Sequence, residues 1–183
     1  DMAAGLIPAD PLYFQNQPIA FTIYDTGGTD TLDLSAFNNN SEILLTELQY
    51  SNVRGLVDNV VIARGTEIEN AIGGAAGETI TGNNVANIIE GRGGIDSLSG
   101  AIGNDTLIGG LGHDVMTGGA DNDSFIFNVS ELAVGQADTV TDFVGGATGA
   151  GDTLRLVGIA SGNVSVTASG GSASLSYDNG AIT

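Results

Sequence analysis

The chain has 183 residues, with 22 acidic side chains against four Arg (Arg54, Arg64, Arg92, Arg155), no Lys and a net charge of −18. Such a surface lacks the clustered cations that a phosphate backbone requires, which excludes nucleic acid as a partner and disfavours an anionic membrane surface. An apolar fraction of 42% allows a core, 29 Gly with 3 Pro point to repeated tight turns, and the absence of Cys removes disulfides as staples.

Residues 1–18 read as a linker without the basic-then-apolar order of a secretory signal peptide. A start at Asp1 rather than Met reads as a piece cut from a longer protein. No run of 18 apolar residues exists, so no membrane insertion is expected. Residues 19–72 predict a capping sheet of short strands at 19–24, 31–34, 42–45, 57–63 and 67–72. Between the first two lies Asp25-Thr-Gly-Gly-Thr-Asp30, which taken alone is an ordinary hairpin turn with an Asp at each end.

Residues 73–126 divide into six consecutive nonapeptides: GGAAGETIT, GNNVANIIE, GRGGIDSLS, GAIGNDTLI, GGLGHDVMT and GGADNDSFI. Position 1 is always Gly (Gly73, Gly82, Gly91, Gly100, Gly109, Gly118), and position 8 is always large and apolar (Ile80, Ile89, Leu98, Leu107, Met116, Phe125). Position 6 runs Glu78, Asn87, Asp96, Asp105, Asp114, Asp123. A fixed period of this kind marks a solenoid. The Gly-rich part of each repeat is a turn, and the last three residues are a short strand whose central side chain points inward. Two nonapeptides make one coil of 18 residues, so the six make three coils of a parallel β-roll with a dry ladder of position-8 residues.

Stacked coils place position 6 of one repeat over position 6 of the repeat 18 residues on. The strongest pairs are Asp96 with Asp114 and Asp105 with Asp123, followed by Glu78 with Asp96 and Asn87 with Asp105. Two carboxylates so close resist joint ionisation. A hard cation with oxygen ligands resolves the conflict, and calcium accepts six to eight of them in flexible geometry. Magnesium demands a stricter octahedron, and zinc needs His or Cys. Main-chain carbonyls at positions 2 and 4 can complete the shell: Gly74 and Ala76, Arg92 and Gly94, Ala101 and Gly103, Gly110 and Gly112, Gly119 and Asp121. On this stacking, about four to six calcium ions are expected.

Beyond the repeats, residues 127–183 predict a second cap, with strands at 127–129, 138–143 and 152–157 and a hairpin over 162–183. The tail ends at Ala181-Ile182-Thr183, mid-strand by its pattern. Asp138 is placed to close a terminal calcium site. The fold class expected is therefore all-β, a three-coil roll capped at both ends by strands.

The nonapeptides match the G-G-x-G-x-D-x-U-x pattern of RTX proteins. Together with Tyr24-Asp-Thr-Gly-Gly-Thr-Asp-Thr-Leu-Asp-Leu-Ser35, Glu67-Ile-Glu-Asn-Ala-Ile-Gly-Gly74 and Asp138-Thr-Val-Thr-Asp-Phe143, in order over roughly residues 19 to 160, the chain resembles the C-terminal domain of serralysin-type metalloproteases. The resemblance implies a further calcium site at Asp25, Gly27, Gly28, Asp30 and Glu69, with Glu67 an additional candidate where the family usually has Thr. It also implies a secreted, extracellular protein exported by a type I system, and an N-terminal catalytic or adhesive domain outside this chain. The family's first repeats usually carry Gly at position 4, where Ala76 and Val85 stand here.

The HExxH helix of the family's proteases does not occur in this sequence, and the single His, His113, sits at a variable turn position. No catalytic constellation is expected, since the carboxylates fall in register with calcium positions rather than as a glycosidase pair. The leading function is a calcium-binding domain that folds on extracellular calcium and supports secretion and stability of an attached domain. The alternative is a carbohydrate-binding or adhesin module. Against it stand 6 Phe, 4 Tyr and no Trp, mostly on strand patterns rather than in an exposed row. An ice-binding ladder of Thr or Asn fails because position 3 runs Ala75, Asn84, Gly93, Ile102, Leu111, Ala120.

Overall fold

A computed structural model describes residues 21–128, 137–145 and 151–158, together with the backbone of two strands at 163–169 and 172–178. The predicted linker at 1–18 and the Ala181-Ile182-Thr183 end lie outside the described residues. The described residues are all-β, with no helix and hence none long and apolar enough to cross a membrane.

In chain order the strands are β1 (Phe21–Ile23), β2 (Thr31–Asp33), β3 (Glu42–Leu44), β4 (Tyr50–Ser51), β5 (Val60–Ile62), β6 (Asn70–Ile72), β7 (Thr79–Thr81) and β8 (Ile88–Gly93). They continue as β9 (Ser97–Ile102), β10 (Thr106–Leu111), β11 (Val115–Ala120), β12 (Ser124–Asn128), β13 (Ala137–Val140), β14 (Thr153–Val157), β15 (Asn163–Ser169) and β16 (Ser172–Asp178).

From β6 to β14 successive strands alternate between two sheets, as a roll requires. One sheet runs β14-β12-β10-β8-β6-β2, the other β15-β16-β13-β11-β9-β7-β3. Within the roll the ladders are parallel, with Leu107 facing Ile89 on one side and Phe125 on the other. The inward rows are Leu32, Ala71, Ile89, Leu107, Phe125, Leu154 from one sheet and Ile43, Ile80, Leu98, Met116, Val140 from the other. All six position-8 side chains are fully buried, as the repeat predicts. Each such burial contributes roughly 1.5–3 kcal/mol, which makes this ladder the main apolar support of the fold.

Two features depart from the sequence reading. Strands β8 to β11 are six residues long and run through the position-1 Gly, which is buried on the inner side, into position 3. The Asp25–Asp30 turn is not a hairpin: β1 pairs in parallel with β5, and β2 pairs in parallel with β6. The physical reason is that β1 and β2 lie in different sheets, so Gly27 (φ 122°) and Gly28 (φ 141°) carry the chain across between them. β2 and β3 thereby add one more rung at the N-terminal end, while β1, β5 and β4 form a small separate sheet.

Candidate metal centre

The turns of the roll form two stacks. Turns 73–78, 91–96 and 109–114 make the first stack, and turns 82–87, 100–105 and 118–123 make the second. Each position-6 Asp carboxylate reaches back one coil. In the first stack, Glu78 N–H donates to Asp96 Oδ1 at 2.6 Å, Asp96 N–H to Asp114 Oδ1 at 2.9 Å and Asp114 N–H to Asp138 Oδ1 at 2.9 Å. In the second, Asn87 N–H donates to Asp105 Oδ1 at 2.7 Å, Asp105 N–H to Asp123 Oδ1 at 2.9 Å and Asp123 N–H to Asp152 Oδ1 at 3.0 Å.

Those bonds use one oxygen of each carboxylate. The other one, Oδ2 of Asp96, Asp105, Asp114 and Asp123, is buried without a hydrogen-bond partner. A buried oxygen of a carboxylate left in that state is costly, and either a proton or a cation relieves it. Burial, with neighbouring carboxylates adding to it, pushes Asp96 up to about 7 and Asp105 up to about 6. Burial likewise raises Glu78 to about 7 and shifts Asp114 and Asp123 upward.

The position-1 glycines are needed for space, not for φ. A Cβ on Gly100 would fall inside contact distance of Asp105 Oδ2 and 2.6 Å from the Gly118 carbonyl oxygen. The same holds between Gly91 and Asp96, Gly109 and Asp114, and Gly118 and Asp123.

At positions 2 and 4 the backbone is left-handed throughout the last four repeats. The φ values are 76° and 119° for Arg92 and Gly94, 82° and 123° for Ala101 and Gly103, 103° and 153° for Gly110 and Gly112, and 107° and 85° for Gly119 and Asp121. The turns stack so tightly that a Cβ on Gly112 would overlap the Gly94 carbonyl oxygen. The first two repeats differ, since Gly74, Ala76, Asn83 and Val85 have no positive φ. Glu78 Oε2 there accepts the Gly74 N–H at 3.1 Å.

The N-terminal acidic turn is also assembled. Gly27 N–H donates to Asp25 Oδ2 at 2.6 Å, and Asp30 N–H donates to Glu69 Oε2 at 2.7 Å. Asp30 Oδ2 is a fifth buried oxygen without a partner. The Gly27 amide holds Asp25 below the usual carboxylate range, whereas burial, then Asp25 and Glu69, hold Asp30 above it. Glu67 is exposed on the cap.

Sequence reasoning missed Asp142 and Asp152, both of which enter the second stack after the nonapeptides end. For Asp152 the signal was present as Asp-Ser/Thr-apolar, found also at Asp96, Asp105, Asp123 and Asp138, whereas Asp142 carries no such signal. Chain spacing hid it, because Asp152 falls 29 residues after its partner Asp123 instead of 18. His113 is exposed, as expected, but its Nδ1 accepts the Ala137 N–H at 3.1 Å.

Among the described residues no three Asp, Glu or His side chains converge on one point. A cation held between these turns therefore takes its carboxylates in pairs and completes its shell with main-chain carbonyls. Oxygen-only donors and uncompensated buried carboxylates fit calcium and suit neither zinc nor a strict octahedral ion.

The chain is similar in sequence to known metallopeptidases over part of its length. Over 70 residues the chain is 53% identical to the metallopeptidase AprA of Pseudomonas marginalis, covering 38% of this chain and 15% of that protein. It is 49% identical over 73 residues to the serralysin of Photorhabdus laumondii, covering 40% of this chain and 15% of that one. Serralysin B of Dickeya chrysanthemi is 46% identical over 65 residues, 36% of this chain and 14% of that one. The matched stretch is thus about one seventh of each relative's length. The family model described as the C terminus of the serralysin peptidases of group M10 matches residues 13–180, nearly the whole chain, and the protein belongs to that family.

Proposed function

We propose that this chain is a calcium-closed folding module that supports the export and stability of a larger secreted polypeptide, and that it carries no catalysis of its own. The observation supporting it most directly is the row of buried, unpartnered carboxylate oxygens on Asp96, Asp105, Asp114 and Asp123. In this reading those oxygens bind calcium with carbonyls of Arg92, Gly94, Ala101, Gly103, Gly110, Gly112, Gly119 and Asp121. Asp25 and Asp30, with carbonyls of Gly27 and Gly28, form a further site, and Glu69 positions Asp30 by accepting its N–H. Gly74, Ala76 and Glu78 at the first turn, and Asp138 at the end of the first stack, are the outer candidates.

When bound, calcium supplies two positive charges and an oxygen-coordinating centre to each site. Without it, 22 acidic residues repel one another and the position-6 carboxylates oppose stacking, which keeps the chain loose enough to thread through a type I channel. Residues 19–72 and 127–183 act as caps on the roll at 73–126, and a catalytic or adhesive domain precedes it.

The test is a calcium titration of the chelator-stripped 183-residue chain, followed by far-UV circular dichroism and calorimetry. Saturable uptake of several ions with a gain of β signal is expected. A chain that is equally folded with and without calcium, or takes up none, overturns the reading.

A further inference from the structure

We infer that the metal-dependent part of the second turn stack stops short of both its ends, where the protein closes the turns with its own amide groups. This rests on the calcium reading above but concerns residues that the reading leaves without a defined role.

At the N-terminal end, turn 82–87 has Asn at position 6 in place of Asp. Asn87 Oδ1 accepts the Asn83 N–H at 2.9 Å, and Asn87 Nδ2 donates to the Glu69 carbonyl at 2.9 Å and to Asn83 Oδ1 at 3.1 Å. Asn83 in turn donates to the Ile68 carbonyl at 2.9 Å and accepts the Val85 N–H at 3.1 Å. Both side chains are buried, and each has donors on acceptors and acceptors on donors. The orientation of Asn87 is fixed, because the flipped amide would set NH₂ against the Asn83 N–H and oxygen against the Glu69 carbonyl. Where the neighbouring turn at Asp105 leaves an oxygen without a partner, this turn presents a satisfied NH₂ group. Its backbone agrees, since Asn83 and Val85 lack the left-handed geometry of the last four repeats.

At the C-terminal end the same result is reached with carboxylates. Asp152 Oδ1 accepts the Asp123 N–H at 3.0 Å, and its Oδ2 accepts the Val144 N–H at 2.7 Å. Asp142 Oδ1 accepts the Gly118 N–H at 2.9 Å, and its Oδ2 accepts the Gly119 N–H at 2.7 Å. Earlier in the stack a position-1 amide donates to a main-chain carbonyl of the next coil, as Gly82 N–H does to Ser99 at 2.8 Å. The final turn has replaced that carbonyl with a side chain. Both oxygens of Asp142 and of Asp152 are compensated by N–H groups, so burial leaves no deficit for an ion to fill.

The two metal-linked turns of the stack, at Asp105 and Asp123, are thus flanked by protein groups, Asn83 and Asn87 before them and Asp142 and Asp152 after them. These flanking groups stabilise the roll equally whether calcium is present or not, and only the turns at Asp105 and Asp123 are linked to calcium concentration.

The experiment compares the intact 183-residue chain with Asn87→Asp, Asp152→Asn and Asp105→Asn, all near-isosteric. Bound calcium is counted by equilibrium dialysis, and melting is followed in chelator and in saturating calcium. Asn87→Asp and Asp152→Asn are expected to melt lower by the same amount in both conditions with an unchanged number of ions. Asp105→Asn is expected to bind fewer ions and to melt lower only in calcium. Loss of an ion in Asp152→Asn, or an ion gained in Asn87→Asp, overturns the inference while leaving the calcium reading intact. An unchanged ion count in Asp105→Asn, or no uptake by the parent chain, overturns the calcium reading and this inference with it.

Discussion

Asp105 donates its main-chain N–H to Asp123 Oδ1 at 2.9 Å while its own Oδ1 accepts the N–H of Asn87 at 2.7 Å. One residue therefore links three successive turns, and its remaining oxygen is buried and uncompensated. The consequences of that arrangement are measurable.

Chelation should destabilise the chain steeply. Extracellular-type sites bind calcium at about 10⁻⁴–10⁻³ M. Occupancy at ten times the dissociation constant adds roughly 1.4 kcal/mol per site. Several sites together approach the entire stability of a small domain, about 5–15 kcal/mol. Melting curves that superimpose in chelator and in millimolar calcium would contradict this.

Asp105→Asn should change sign with conditions. Its amide oxygen can still accept the Asn87 N–H, but a charge disappears from a buried position. In chelator the variant is expected to be as stable as the parent or more so. In saturating calcium it should lose about 1–3 kcal/mol, the cost of a missing charged ligand. Calorimetric melts in both buffers decide the matter, and a loss of equal size in each would refute the metal-linked role.

The pH dependence should reverse with calcium. Asp96 and Glu78 titrate near 7 and Asp105 near 6 in the folded chain, all above their ordinary values of 3.8 and 4.5. Between pH 4 and 7 the metal-free folded state accordingly holds more protons than the unfolded one, so its stability falls as pH rises. With calcium the ligands must be ionised, so stability falls as pH drops. Parallel pH profiles of melting temperature in the two conditions would count against the assignment.

Gly100→Ala and Gly93→Ala form a contrasting pair. A methyl on Gly100 meets the Asp105 carboxylate and the Gly118 carbonyl, whereas the nearest atom to one on Gly93 is 3.8 Å away. Overpacking of this kind costs typically about 1–3 kcal/mol, and the Gly93 variant should be neutral within about 0.5 kcal/mol. Equal melting of the two variants would show that the space beside the carboxylate is not needed.

Removal of residues 127–183 deletes β13 and β14 together with Asp138 and Asp152, which receive the last amides of both stacks. The shortened chain keeps all six nonapeptides yet should fail to fold on calcium addition. Calcium-induced folding with an unchanged midpoint would show that the C-terminal strands do not nucleate the roll.

The repeat made the core legible: one column of six apolar residues predicted six buried side chains, because a strict period fixes which face each strand presents. The acidic column likewise predicted the pairings of Asp96 with Asp114 and Asp105 with Asp123. What stayed hidden was long-range. The Asp25–Asp30 turn has local hairpin chemistry, but its Asp30 N–H binds Glu69, 39 residues later, and nothing in a turn names so distant a partner. Only the resemblance over the whole segment pointed to Glu69. Asp142 and Asp152 were invisible to a nine-residue period because the roll carries on after its repeat has ended. The unlike backbone of the first two repeats had a faint signal, Ala76 and Val85 where Gly is usual.

Because consecutive strands alternate between the two sheets, the roll has a parity. An insertion of eighteen residues would lengthen it by one coil and return every later strand to its own sheet. An insertion of nine, though a complete nonapeptide, would move Asp138 to the stack that Asp152 now closes, and Asp152 to the other. Gene duplication within this domain is therefore constrained to even numbers of repeats, whatever the quality of each added unit.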